Sequence, residues 1–126
     1  MKFDSEGLWK HASNIAYYVN AAYKAMKAKN ECKTNIESYM KSINRLAIGC
    51  SKTSFVYACT SISEHVKFDD SSFKDAMKYA LALPEKGEDE NDNMNFKYFI
   101  SLVSFHIACY KSEWKRQDDK QDNKDK

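Results

Sequence analysis

Apolar residues recur along most of this chain at alternating spacings of three and four, the period of a helix with one face turned inward. Leu8, Ala12, Ile15, Val19, Ala22 and Met26 form the first such stripe, and Trp9, Ala16 and Tyr23 widen it. They predict a helix from about Leu8 to Lys29, entered from a polar leader in which Asp4 or Ser5 supplies the N-cap. Tyr39, Met40, Ile43, Leu46, Ala47 and Cys50 predict a second helix over Asn35–Ile48, with Thr34 and Glu37 at capping-box spacing. Gly49 stands where a residue free to take positive φ ends a helix. Ser51 or Thr53 then caps a third helix, Thr53–Lys67, carrying Phe55, Cys59 and Ile62.

A boundary at Phe68-Asp69-Asp70-Ser71-Ser72 leads into a fourth helix, with Phe73, Ala76, Met77, Ala80 and Leu81 on one face and Pro84 as its stop. A fifth is expected over Met94–Gln117, the most apolar of the set. Phe96, Phe99, Ile100, Val103, Ile107, Tyr110 and Trp114 share a face, and Phe105 and His106 lie off it. Apolar residues thus reach round much of its circumference, which suits a helix central to a bundle or covered by a partner. Short connections make successive helices antiparallel neighbours. The expected fold is all-α, a compact bundle of about five helices: one domain over residues 1–116, then a disordered polar tail, 117–126.

Composition sharpens this picture in two places. One proline and three glycines disfavour a many-turned β fold, and 126 residues suffice for a single modest core. Net charge is only +2, yet residues 1–67 hold ten Lys/Arg against five Asp/Glu while residues 68–126 hold ten against thirteen. A basic first half suits an anionic partner, or pairing of basic with acidic ends between copies. Within it, Lys41 and Arg45 are four apart and share the outer face of the second helix, and Lys52 sits on the corner after it. Lys10, Asn14, Tyr17, Asn20, Lys24 and Lys27 make a further polar stripe on the first helix, of a chemistry suited to phosphate, sugar and base contacts.

The order tyrosine, Arg-Leu, small-residue break and apolar helix resembles the small helical subunits of class 1 CRISPR effector complexes, the type III-B small subunit most closely. The matching positions are Tyr39, Arg45-Leu46 and the Gly49–Ser54 corner; the proline that often follows the leucine is replaced by Ala47. The resemblance implies a non-catalytic subunit of an RNA-guided complex. Copies of it stack along the complex, line the groove that holds guide RNA and target nucleic acid, and pack against other effector subunits. Lys41, Arg45 and Lys52, with Lys24 and Lys27 from the first helix, are the residues expected to neutralise phosphates without reading bases. The rival expectation is a helical protein-binding module, such as a phage-encoded inhibitor or an immunity-type partner, that uses acidic or aromatic patches instead.

Signals for catalysis are sparse. His106 and Cys109 form one H-x-x-C pair with no second pair at ligand spacing, so no metal is expected. The acidic stretch Glu85–Asn93 lacks the ordered spacing of a calcium loop. No glycine-rich phosphate loop is present, and no cofactor is expected. An enzyme would have to assemble its site from His65, His106 and Cys109. The four cysteines show no C-x-x-C pairing, and three fall on apolar faces, which reads as buried free thiols in a reducing cytoplasm. No apolar run is long enough to span a bilayer, so no membrane partner is expected.

Overall fold

The computed structural model describes residues 3–67, 71–86 and 93–124. The first three residues of the expected boundary 68–72 and most of the acidic stretch 85–93 lie outside the described residues. Five helices make up the fold: α1 (Ser5–Ala28), α2 (Lys33–Ile43), α3 (Lys52–Ser63), α4 (Ser72–Ala82) and α5 (Phe96–Lys124). Among the described residues there is no strand.

Helix α1 begins where Asp4, extended at φ −141° and ψ 171°, accepts a hydrogen bond from Gly7 N at 2.7 Å. It ends in a left-handed cap at Asn30, φ 54°, a value asparagine tolerates better than other side chains. Glu31 N donates to Met26 O at 3.0 Å and Asn30 N to Lys27 O at 3.1 Å, so two terminal carbonyls are satisfied and the chain reverses at once. Leu8, Ala12, Ile15, Val19, Ala22 and Met26, the stripe expected from the sequence, are all buried. Trp9 departs from it, with 51% of its surface exposed.

Two helix boundaries differ from the sequence expectation. Helix α2 starts at Lys33 with Cys32 as its N-cap, so Thr34 lies inside the first turn and the capping box does not form. Its end comes at Ile43, because the following turns close by shorter bonds: Arg45 N to Ser42 O and Leu46 N to Ile43 O. Leu46 stays buried, Ile48 is left 78% exposed, and Gly49 takes φ +92°. Helix α3 is capped by Ser51, whose Oγ accepts from Ser54 N at 3.1 Å, and it stops at Ser63, four residues short of Lys67.

On α4 the inward residues are Phe73, Ala76, Tyr79 and Ala80, whereas Leu81 is turned outward. Leu83, extended ahead of Pro84, is fully buried. Asn95 Oδ1 accepts from Tyr98 N at 2.8 Å at the start of α5. The inward face of α5 is the expected one, with Tyr110 only half-buried. The expected boundary after Arg116 falls inside this helix, which continues to Lys124. Lys27 reaches Asp118 at 3.6 Å from the end of α1.

Side-chain contacts fix the direction of every helix. Tyr18 meets Phe73 and His11 meets Tyr79, so α1 and α4 run antiparallel. Tyr39 meets His65 and Arg45 meets Tyr57, so α2 and α3 do likewise. Trp9 meets His106, Tyr23 meets Trp114 and Lys27 meets Asp118, which makes α1 and α5 parallel. The bundle therefore alternates direction with each helix, and α1 packs most extensively against α5 and α4. Lys111 Nζ donates to Asn44 Oδ1 at 2.6 Å, tying the end of α2 to α5.

The hydroxyl of buried Tyr39 donates to Val19 O at 2.6 Å, which anchors α2 on the middle of α1. Burial pushes that phenol well above its ordinary value. Tyr39→Phe keeps the ring and loses this one bond, so denaturant titration should show a loss of about 1 kcal/mol with an unchanged m-value.

Candidate nucleic-acid interface

From Ser38 to Ser63 the chain carries Lys41, Arg45 and Lys52 and no carboxylate. Folding turns this stretch into the end of α2, the tight corner and all of α3, an arm whose charge is of one sign. Its three cations meet different fates. Lys41 projects from the last turn of α2, exposed, where a cation also faces the helix dipole favourably. Arg45 lies past the helix end, so the two do not share a helical face as the spacing suggested. The corner instead lays the Arg45 guanidinium over the ring of Tyr57 on α3, 5.8 Å from its centroid. Tyr57 is itself 60% exposed.

Lys52 is spent within the protein. Its ammonium donates to Leu81 O at 2.9 Å and to Leu83 O at 2.7 Å, where the last carbonyls of α4 lack helical partners. It also stands over the Phe96 ring at 5.8 Å. Lys52 is thus a C-terminal cap for a neighbouring helix, an engagement that its place in the sequence did not reveal.

The polar stripe of α1 divides in the same way. Asn20 Oδ1 accepts from Trp114 Nε1 at 2.7 Å, and Lys27 is shared between Asp118 and the ring of Tyr23. Those two belong to the α1–α5 contact. Tyr17, 56% exposed, and Lys24 remain at the surface. Among the described residues no ion pair engages Lys24, Lys41 or Arg45.

Sequence reasoning passed over Tyr57, whose only signal is that it falls outside the Phe55, Cys59, Ile62 stripe in an otherwise apolar helix. It also passed over His11. That ring stacks on Tyr79 at 4.3 Å, beside Asp4, Lys10 and Asp75, with its Nδ1 buried and unpaired. Burial, then the charge of Lys10, lowers the His11 pKa, with Asp75 opposing them. His106 sits edge-on to Trp9 at 4.6 Å with its Nε2 buried and unpaired, and burial lowers its pKa too.

His65 packs against Tyr39, so it and His106 sit against different helices, and Cys109 is exposed. Among the described residues no group of three His, Cys, Asp or Glu side chains could hold a metal ion. All four cysteines are free, but only Cys59 is fully buried; Cys50 is half-buried and Cys32 and Cys109 are exposed, which corrects the expectation of three buried thiols. Burial raises the pKa of the Cys50 and Cys59 thiols. No helix among the described residues is long and apolar enough to cross a membrane. Comparison with protein-family models, with curated proteins and with solved structures finds no match to this chain.

Two measurements follow from these placements. Lys52→Met keeps the stem over Phe96 but removes both hydrogen bonds, and denaturation should show a loss of about 1.5–3 kcal/mol. The histidines predict acid sensitivity. Their folded pKa values lie below the ordinary imidazole value of 6.5, so the unfolded chain binds protons first. Their contribution is complete above that pH and declines as pH falls from it through the lower folded values. The slope of melting temperature against pH in that window should flatten in a His11→Gln/His106→Gln variant.

Proposed function

We propose that this chain is a non-catalytic small subunit of a multi-subunit, RNA-guided effector of the CRISPR type, acting in the cytoplasm in antiviral defence. The observation that carries the reading is the carboxylate-free arm, on which Lys41 and Arg45 stay exposed and Arg45 lies on an exposed tyrosine. Two cations on a short arm neutralise backbone phosphates, and a tyrosine face beside them offers a stacking surface that accepts any base. Neither contact reads sequence, as a protein following a variable guide requires. Lys24 and Tyr17 on α1 are secondary contributors, and Lys52 and Lys27 are held by contacts within the fold.

A subunit of this kind also needs surfaces for its neighbours. Trp9 of α1 and Phe105 of α5, 51% and 57% exposed, are joined through His106, and Tyr98 and half-buried Leu102 precede Phe105 on α5. Aromatic residues grouped in this way suit contacts with other effector subunits or with further copies of the chain. The same patch favours the second reading, a helical protein-binding module with no nucleic-acid role.

The deciding experiment titrates labelled single-stranded RNA and a guide–target duplex at two salt concentrations. Under the first reading, Lys41→Glu/Arg45→Glu weakens binding more than about tenfold and lowers the log–log salt slope by roughly 1.5, for two lost phosphate contacts. Trp9→Ser/Phe105→Ser leaves RNA binding intact. Absence of binding at low salt, both alone and with candidate effector subunits added, overturns the nucleic-acid reading and leaves the protein-binding module.

A further inference from the structure

From Tyr98 to Tyr110, α5 carries no Lys, Arg, Asp or Glu. Buried Phe99, Val103 and Ile107 fix its inward side, and the outward side is centred on exposed Phe105. Tyr98, Phe105 and Ser112 recur there every seven residues, with Ser101 and Ala108 between them, which is the a and d spacing of a helix-to-helix seam. Ser101 is half-buried and the other four are exposed. The Ser101 hydroxyl donates to Lys97 O at 3.2 Å, so it needs no acceptor from a partner. Leu102 and Cys109 run beside the seam, and Trp9 of α1, edge-on to His106, borders the same side.

We propose that this face pairs with the same face of a second copy of the chain, α5 against α5 and antiparallel, in a closed two-fold dimer. The lack of charge sets the class of occupant. Nothing on the seam neutralises a phosphate or meets a charged peptide, whereas an identical face brings no charge to bury. The sizes along the seam set the direction. Antiparallel pairing places each a position against a d position, so Phe105 packs on Ala108 of the second copy and Ser101 on Ser112 of the second copy. Leu102 then lies beside Cys109 of the second copy, and both large side chains meet small ones. Parallel pairing would set Phe105 against Phe105 and Ala108 against Ala108, crowding one level and leaving a gap at the next. Trp9, Tyr98 and Phe105, each roughly half exposed, offer roughly 300 Å² per copy. With the smaller residues the dimer buries about 1,000 Å², the lower end of specific interfaces, which suits a reversible contact. This deepens the reading of the aromatic patch as a contact with further copies and rests on it, but it does not rest on RNA binding.

The direct test is sedimentation velocity of the intact chain across a concentration series. A reversible monomer–dimer equilibrium is expected, and added salt should leave it undiminished. Phe105→Asp should weaken the dimer at least about tenfold, since it sets a carboxylate on the seam of each copy. Phe105 is exposed, and thermal melting by circular dichroism identifies a variant that loses its fold; Phe105→Ser then serves as the milder replacement. Lys41→Glu/Arg45→Glu should dimerise as the parent does, so a failed dimer and a failed RNA contact are told apart. Ser101→Cys/Ser112→Cys should form a disulfide-linked dimer under mild oxidation, and neither single variant should. Residues 101 and 112 are roughly 16 Å apart along one helix, so the bond can form only between copies. A monomer at every concentration overturns the proposal and leaves a different apolar partner for this face. Growth beyond the dimer also overturns it, because a two-fold contact closes at two copies. A dimer that Phe105→Asp does not weaken uses another face, and a dimer without the 101–112 link is not antiparallel about this seam; either result overturns it as well.

Discussion

The parallel contact between α1 and α5 sets the terms for everything between them. Trp114 lies flat on Tyr23, with centroids 3.9 Å apart and planes 14° from parallel, and its indole N–H is satisfied by Asn20, 94 residues earlier. A buried indole without an acceptor would cost most of what its burial gains, so the ring and the amide work as a unit. Two parallel helices that touch cannot be joined by a short hairpin. The intervening chain must return, and α2, α3 and α4 do so as three antiparallel passes. The arm that presents Lys41 and Arg45 belongs to the first two of those passes, so its position is a by-product of closing α1 on α5.

The stripes were legible because burial follows helical period with little interference. Leu8 through Met26 on α1 and Phe96 through Trp114 on α5 are inward in the structure as in the pattern. Caps made by one side chain to the next turn were legible too, at Asp4 and Ser51. The pattern failed where a choice is made across the bundle. Helix α2 ends five residues before Ile48 because shorter local bonds close the chain after Ile43 while Leu46 still reaches the core. Thr34–Glu37 reads as a capping box, but the chain leaving Asn30 enters α2 one residue before Thr34.

The candidate site was half legible for the same reason. That Lys41 and Arg45 lie in a carboxylate-free stretch is a property of sequence; that Arg45 meets Tyr57 is a property of the corner. Lys52 was expected beside them and Lys27 as a lesser contributor, yet one caps α4 and the other closes the α1–α5 contact. A lysine's spacing along a helix says which way it leaves the backbone. Whether a free carbonyl or a carboxylate waits within reach depends on elements far away in sequence, Leu81 and Leu83 for Lys52 and Asp118 for Lys27.

With five passes of alternating direction, the start of α1 and the end of α5 lie at opposite poles. At 1.5 Å per residue, α1 alone separates them by roughly 36 Å. The molecule is in this sense a strut and not a loop. A circular permutant would need a linker that crosses its full height, whereas a label or fusion at either end reports on one pole without disturbing the other.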